Sequence, residues 1–263
     1  MDSLPRVLSI AGSDSGGGAG IQADLKAFAA CGVHGMTAIT AITAQNTVGV
    51  TAVHAIPPET IIAQIRAVRD DIGVDAVKIG MLGTVETIQA VVTALDELPG
   101  GTPVVVDPVM VAESGAELLD PAARAGLAEL MLPRATVVTP NLPEARALAG
   151  DTEASVERLA QAIHALGPTA VVITGGHRQR ATDVFFDGEQ LVEIPGQRHP
   201  DGAAHGSGCT HSSVLAARLA LGDPPLEAAR RAKEMASAAV AGGLAGIGAG
   251  PGPVDVLGIV RNR

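Results

Sequence analysis

The 263-residue sequence predicts an α/β fold: a doubly wound, mostly parallel central sheet covered by helices on both faces. Short apolar runs rich in β-branched residues alternate with Ala-rich stretches of helical periodicity, and polar residues follow directly after the apolar runs. Continuous apolar runs are typical of strands buried on both faces of a parallel sheet. No repeat, linker or low-complexity segment divides the chain, so we expect one domain over residues 1–263, a size that a single core can fill.

The elements follow in order along the chain. The predicted strands are 6–10, 76–80, 104–107, 136–139 and 170–174. The predicted helices are 59–72, 85–98, 121–132, 156–166, 211–221 and 226–242. Residues 183–192 predict a hairpin around Asp187-Gly188, since an Asp-Gly pair favours a tight turn. This alternation is the βαβ pattern of a covered parallel sheet.

The amino-acid composition indicates which classes of molecule the protein binds. The formal net charge is −10 with only three lysines, which disfavours nucleic acid and anionic membrane surfaces. The chain has no Trp and no Tyr, so ring stacking on a ligand is scarce. Residues 1–6 lack the features of a signal peptide, and glycines interrupt the weakly apolar stretch 237–254. We expect a cytoplasmic protein, not bound to membranes, that acts on small molecules and keeps Cys31 and Cys209 reduced.

The segment Gly206-Ser207-Gly208-Cys209-Thr210 is the most informative stretch. Glycines at alternate positions before a predicted helix let backbone amides converge on an anion at the positive helix end. This pattern predicts a phosphate site that contains a thiol. A helix N-terminus lowers a thiol pKa, so we expect the Cys209 thiolate to be favoured. The alternative is a glycine-rich helix cap with a small buried residue.

Polar residues also follow the ends of the predicted strands. In a doubly wound sheet, ligands bind beyond the carboxyl ends of the strands. The loop at residues 11–20 is glycine-rich, but its spacing does not match the Gly-x-Gly-x-x-Gly pattern of dinucleotide-binding proteins, and the chain has no Walker A loop. The segments that follow the strands are 11–20, Met81, Pro108, Pro140-Asn141 and Gly175-Gly176-His177.

With these segments assembled, the chain resembles the hydroxymethylpyrimidine/phosphomethylpyrimidine kinases of thiamine synthesis, in the ribokinase-like superfamily. Sugar kinases of that superfamily usually carry Asp at the position of Cys209, so the cysteine indicates the pyrimidine and pyridoxal branch. The matching motifs span nearly the whole chain and are 11–14 with 16–26, 43–47, 78–82, 107–110, 139–145, 175–177 and 205–210.

The resemblance implies an ATP-dependent kinase that uses Mg²⁺ and assigns roles residue by residue. Two of the residues named below have an alternative interpretation: Asp24 could be a solvated helix residue, and Glu144 a charge in the first turn of a helix. The implied catalytic group is Cys209, as the base, with the amides of Gly206, Ser207 and Gly208. The implied substrate contacts are Gly12, Ala19, Asp24, Gln45, Met81 and Val109. The implied nucleotide contacts are Thr174, Gly176 and His205, and the implied Mg²⁺ ligands are Asp107, Asn141 and Glu144.

Two departures from the family pattern remove cations that could bind phosphate. Many members have Lys at the position of Thr174 and Lys-Asn-Thr at the position of Gly202-Ala203-Ala204. Arg178, Arg180 and Arg198 are the candidates to replace these cations, or they are solvated loop arginines.

Three functions stay open at this point: a kinase of hydroxymethylpyrimidine and its monophosphate, a pyridoxal or pyridoxine kinase, and a non-catalytic pyrimidine or nucleotide binder. An exposed sheet edge near residues 48–56 predicts a homodimer.

Overall fold

The computed structural model describes residues 4–112, 115, 118–176, 181–200 and 202–259. The strands are β1 (Arg6–Asp14), β2 (His34–Asn46), β3 (Gly49–Ala55), β4 (Ala76–Ile79), β5 (Val104–Val106), β6 (Val137–Val138), β7 (Ala170–Ile173), β8 (Asp183–Phe186) and β9 (Leu191–Ile194). Within the described residues they form one sheet in the order β3-β2-β1-β4-β5-β6-β7-β8-β9. Neighbours from β2 to β7 pair in parallel, whereas β3, β8 and β9 are antiparallel. The predicted mostly parallel sheet is confirmed.

Helices cover both faces of this sheet, as predicted. They are α1 (Gly20–Ala30), α2 (Pro58–Asp71), α3 (Val85–Leu95), α4 (Ala123–Gly126), α5 (Leu142–Ala149), α6 (Val156–His164), α7 (Ser207–Ala220) and α8 (Pro225–Ala241). Successive strand residues point to opposite faces: Val7 belongs to the core beneath α1, α7 and α8, while Leu8 belongs to the core beneath α2, α3 and α6. This alternation explains why the strands read as continuous apolar runs.

Some elements differ from the prediction. The helix expected at 121–132 is α4 followed by a π-helical turn (Leu127–Met131) and a 3₁₀ turn (Leu132–Arg134). Pro133 lacks an amide hydrogen, so a regular α-helical ladder cannot continue there. The helix expected from 211 begins at Ser207, which brings the Gly-Ser-Gly-Cys segment into its first turn. The sequence pattern indicated no bounds for β2, α1 or α5, and it predicted β3 only as an exposed sheet edge near residues 48–56.

The predicted hairpin at 183–192 is formed by β8 and β9. Asp187 Oδ1 accepts hydrogen bonds from the Glu189 and Gln190 amides at 3.1 and 2.9 Å. Gly188 has φ 93°, a conformation that favours glycine.

The order of the strands reverses between β1 and β4. From β1 the strand order runs one way to β2 and the other way to β4, and such a switch point opens a crevice at the carboxyl ends of the strands. No helix in the described part of the chain is long and apolar enough to cross a bilayer.

Candidate active site

A cavity of about 390 Å³ lies at the carboxyl ends of the parallel strands, beside the switch point. It is lined by the end of β1, by residues that follow β4, β5, β6 and β7, by the N-terminus of α7 and by residues of α8. All the predicted site residues except Asp24 line it: Gly12, Ala19, Gln45, Met81, Asp107, Val109, Asn141, Glu144, Thr174, Gly176, His205, Gly206, Ser207, Gly208 and Cys209.

The N-terminus of α7 forms one wall of the cavity. Gly206 is its N-cap residue with φ 83° and ψ 10°, and an added Cβ would lie 1.8 Å from the Gly18 carbonyl oxygen. Only glycine satisfies both the conformation and this approach of two backbones. Among the described residues no side chain caps the helix, and the Ser207 amide donates to Ala204 O at 2.9 Å. The first-turn amides of Gly208 and Cys209 are therefore placed for an anion.

Cys209 lies in this first turn, but its electrostatics differ from the prediction. Burial raises the pKa of the Cys209 thiol to about 12, although the nearby Lys78 ammonium and a hydrogen bond from the Gly20 amide oppose the rise. Burial likewise raises the pKa of Cys31, to about 11. The expected favoured thiolate at Cys209 is wrong, because removal from water outweighs the helix N-terminus.

Asp24 does not line the cavity. It is fully buried and forms an ion pair with Lys78, Nζ to Oδ1 at 2.8 Å. Ser213 Oγ donates to Asp24 Oδ1 at 2.7 Å, and Ser9 Oγ donates to Oδ2 at 2.6 Å. Both carboxylate oxygens are thus engaged inside the protein. Neither the predicted pyrimidine contact nor the alternative, a solvated helix residue, matches this placement.

Asp14 and His205 organise the glycine-rich loop after β1. Asp14 accepts hydrogen bonds from the amides of Gly16, Gly18 and Ala19 at 2.7, 3.0 and 2.8 Å, and His205 Nε2 lies 3.2 Å from its Oδ2. Burial alone would raise the pKa of Asp14, but His205 and these amides bring it below its usual value. This pair joins the loop to the segment that precedes α7.

Apolar and amide groups line another part of the cavity. Gly12 faces Met81, and a Cβ at position 12 would lie 2.4 Å from the Met81 methyl carbon. The Met81 carbonyl accepts a hydrogen bond from Thr40 Oγ1 at 2.7 Å, which fixes the backbone there. Gln45 Oε1 accepts from Thr43 Oγ1 at 3.1 Å. Together with Val109, these groups form a surface for a flat polar ring.

Two carboxylates lie close together on the wall formed by β5 and α5. Asp107 accepts from Ser212 Oγ at 2.9 Å. Burial and the neighbouring Asp107 raise the pKa of Glu144 to about 8, and burial raises that of Asp107. Asn141 and Glu144 form a capping box at the start of α5, each accepting from the other's amide at 2.9 Å. Glu144 thus lies in the first turn of α5, as the alternative expected, but burial favours its neutral form over the expected charge.

The wall beside β7 carries the predicted nucleotide contacts. Thr174 and Gly176 line the cavity, and Arg198 donates to the Gly176 carbonyl at 3.3 Å. His177, Arg178, Arg180 and Asp201, which the sequence also singles out, lie outside the described residues.

Other charged or titratable residues that sequence reasoning gave no role also line the cavity, among them Lys78, Asp183, His211 and Lys233. Lys78 was visible as a lysine inside an apolar strand, a signal of a buried ion pair. His211 and Lys233 lie within helices whose pattern suggested only packing.

Comparison with known proteins shows the family of the chain. Residues 14–255 match the family model described as phosphomethylpyrimidine kinase. The hydroxymethylpyrimidine/phosphomethylpyrimidine kinase of Rhizobium meliloti (strain 1021) is 54% identical, with the match covering 94% of this chain and 95% of that protein.

Two solved structures are similar as well. An ADP complex of Bacillus subtilis pyridoxal kinase has a TM-score of 0.88 at 40% identity, covering 99% of this chain and 100% of that one. The phosphomethylpyrimidine kinase of Clostridium difficile 630 has a TM-score of 0.77 at 42% identity, covering 88% and 96%. The chain therefore belongs to the phosphomethylpyrimidine kinase family.

Proposed function

We propose that this kinase transfers the γ-phosphoryl group of ATP to the hydroxymethyl oxygen of 4-amino-5-hydroxymethyl-2-methylpyrimidine and then to the resulting monophosphate, giving the diphosphate used in thiamine biosynthesis. The observation that carries the proposal is that the ring surface at Gln45 and Met81 and the anion site at the α7 N-terminus line one cavity. A ring held on the first can present its substituent to the second.

In this proposal Gln45 binds the aminopyrimidine, since an amide both donates and accepts hydrogen bonds as the ring edge requires. Met81 and Val109 contact the ring faces, and Gly12 and Ala19 leave room for the ring. Binding of this kind holds the hydroxymethyl oxygen near the phosphoryl group, and positioning supplies much of the rate in phosphoryl transfer.

The amides of the α7 first turn stabilise the charge on the transferring phosphoryl group. Loss of one such donor typically costs about 10²–10³ in kcat. Cys209 accepts the proton of the hydroxymethyl group as the new O–P bond forms and the bond to ADP breaks. Because its pKa is about 12, Cys209 is a thiol at neutral pH, and the fraction able to act as a base grows with pH. Lys78 favours that thiolate.

The chemistry of Asp107 and Glu144 fits Mg²⁺. Burial raises the proton affinity of both carboxylates, and Asp107 raises that of Glu144 further, which a divalent cation would relieve, although the described residues hold no group of three or more His, Cys, Asp or Glu side chains suited to a metal. Mg²⁺ commonly uses one or two carboxylates, waters and substrate phosphates. Asp107 and Glu144 would hold it, with Asn141 supporting Glu144. When bound, the ion would neutralise phosphate charge.

Thr174, Gly176 and His205 contact the nucleotide in this proposal. His205 also contacts Asp14, which accepts hydrogen bonds from amides of the glycine-rich loop. Nucleotide binding at His205 therefore also affects that loop. We place the enzyme in the cytoplasm, where ATP is available.

A homodimer is proposed through β3, an edge strand with exposed side chains at residues 51–55. Val48, Val53 and Ile42 expose 60%, 54% and 49% of their surface, and an unpaired apolar edge favours pairing with a second strand. Light scattering coupled to size-exclusion chromatography tests this: Val53→Lys should give a monomer, and an unchanged mass would reject β3 as the interface.

Pyridoxal phosphorylation is the second candidate, because the Bacillus subtilis pyridoxal kinase matches the chain over its full length. Coupled ADP release with the pyrimidine alcohol, its monophosphate and pyridoxal decides between them. We expect turnover of both pyrimidines at a kcat/KM above that for pyridoxal. Turnover of pyridoxal alone would overturn the proposal.

A further inference from the structure

Three charged or titratable side chains from three elements meet at one place in the cavity wall. Asp183 begins β8, His211 lies in α7 and Lys233 lies in α8. Lys233 Nζ lies 2.6 Å from Asp183 Oδ1, and His211 Nε2 lies 3.2 Å from Asp183 Oδ2. Asp183 is fully buried and His211 is 4% exposed. The cluster is therefore a built feature of the interior that borders the cavity.

The hydrogen bonding of this cluster is incomplete. In the described part of the chain, His211 Nδ1 is buried without any hydrogen-bond partner, while His211 Nε2 and Asp183 Oδ2 have only each other, at 3.2 Å. Buried polar atoms are rarely left unpaired, and each one calls for an explanation such as a bound molecule. The unpartnered His211 Nδ1, in a residue that lines the cavity, indicates a polar ligand.

The charges of the side chains that line the cavity indicate that the polar ligand is an anion. Asp14, Asp107 and Glu144 also line the cavity, so a triphosphate needs cationic or donor groups in the same wall to bind. Lys78 is buried in its pair with Asp24. Arg198, also in the lining, is exposed, and His205 faces Asp14, so buried His211 and half-buried Lys233 are described side chains that remain to meet phosphate from within the wall.

The cluster also lies beside Thr174. The Gly175 amide donates to Asp183 Oδ1 at 2.7 Å, and Ile173 pairs with Val184 in the β7–β8 ladder, which sets Thr174 next to Asp183. A lysine side chain at 174 would thus enter the region where His211 and Lys233 already lie.

We propose that His211, held with Lys233 on Asp183, is a binding residue for the phosphates of the nucleotide and takes the place of the lysine that many family members carry at position 174. The inference rests on the proposed use of ATP. The imidazole has two ring nitrogens, so it can face Asp183 through one and a phosphate oxygen through the other. Lys233 offsets the charge of Asp183, which would otherwise repel the phosphates.

Calorimetric titration with ADP and Mg²⁺ tests the proposal without requiring turnover. His211→Asn should weaken ADP binding roughly tenfold or more, as expected for loss of a hydrogen bond to a charged group, and should leave pyrimidine affinity unchanged. His34→Asn is the control, because His34 is exposed at the start of β2, at the opposite end of the strand from the cavity. Thermal unfolding reports whether each variant is folded. If His211→Asn does not fold, His211→Leu is measured in its place, and the same loss of ADP affinity is expected.

A double substitution tests whether position 174 serves the same phosphate. Thr174→Lys should restore most of the ADP affinity in the His211→Asn background and add much less in the wild type. Unchanged ADP affinity in His211→Asn, equal losses for ADP and pyrimidine, or an equal gain from Thr174→Lys in both backgrounds would each overturn the inference. Failure of the proposed function is distinct, since it would show as absent turnover by the wild type.

Discussion

Lys78 Nζ lies 2.8 Å from Asp24 Oδ1, and both side chains are fully buried. Burial lowers the proton affinity of the Lys78 ammonium, but Asp24, Cys209 and Asp107 outweigh this and raise its pKa. Lys78 therefore stays protonated near Cys209 at ordinary pH values. Asp24 affects the site by pairing with Lys78 and not by contacting the substrate.

Asp24→Asn should accordingly act first on stability. It leaves the Lys78 charge buried without its partner, which costs about 3–5 kcal/mol of unfolding free energy, measurable by urea denaturation. Asp96→Asn is the control: the Asp96 carboxylate pairs with Arg134 at the surface, so the cost should stay below about 1 kcal/mol. An unchanged stability with only a higher KM for the pyrimidine would instead restore the direct contact predicted from sequence.

Gly206→Ala should abolish most activity, because the new methyl group would meet the Gly18 carbonyl and displace the first turn of α7. We expect a fall in kcat of about 10² or more, the usual cost of a lost oxyanion donor. Gly101→Ala is matched in backbone conformation, φ 87°, but its Cβ would meet nothing within 4 Å. It should lose a little stability and retain full activity, and equal kcat values in the two variants would contradict this account of the α7 N-terminus.

Stability without Mg²⁺ should decrease as the pH rises from about 5 to 8. Burial and Asp107 raise the pKa of Glu144 to about 8, so in this window the folded protein binds a proton that the unfolded chain releases. The free energy of unfolding then falls by up to about 1.4 kcal/mol per pH unit.

Thermal unfolding across this range should show a weaker pH dependence in Glu144→Gln than in the wild type. Glu86→Gln is the control, since Glu86 also begins a helix but hydrogen bonds lower its pKa. Identical pH dependence in the wild type and Glu144→Gln would show that Glu144 is ionised in the folded protein.

The sequence predicted most of the sheet because each parallel strand is buried on both faces and carries a continuous apolar run. It did not predict β2, and it predicted β3 only as an exposed edge near residues 48–56. β2 contains Thr and Gly as well as Ala and Ile, and along it buried side chains alternate with side chains that are half-buried or exposed. Most of β3 is exposed at the sheet edge. Edge strands carry a weaker hydrophobic signal than central strands, so periodicity does not find them.

Motifs located the residues of the candidate site, but not their surroundings. A loop of the type Gly-x-Gly-Cys predicts converging amides and a helix start, which the structure contains. It does not reveal that Cys209 is removed from water, because the burial of a thiol depends on α1 and β4, which are distant in sequence. The cluster of Asp183, His211 and Lys233 was invisible for the same reason: each residue is unremarkable within its own element.

The claim that Cys209 removes the proton in the first phosphorylation is tested most directly by kcat/KM for the two acceptors as a function of pH. An alcohol must lose a proton as it attacks, whereas a phosphate monoester has its second pKa near 6 and needs no base above pH 7. The ratio of kcat/KM for the alcohol to that for the monophosphate cancels effects common to both. Because the pKa of Cys209 is about 12, this ratio should rise roughly tenfold per pH unit between about pH 7 and 9 in the wild type. In Cys209→Ala the ratio should be far lower and independent of pH, while the monophosphate is still phosphorylated. Equal losses for both acceptors, or full activity of the variant on the alcohol, would contradict the account.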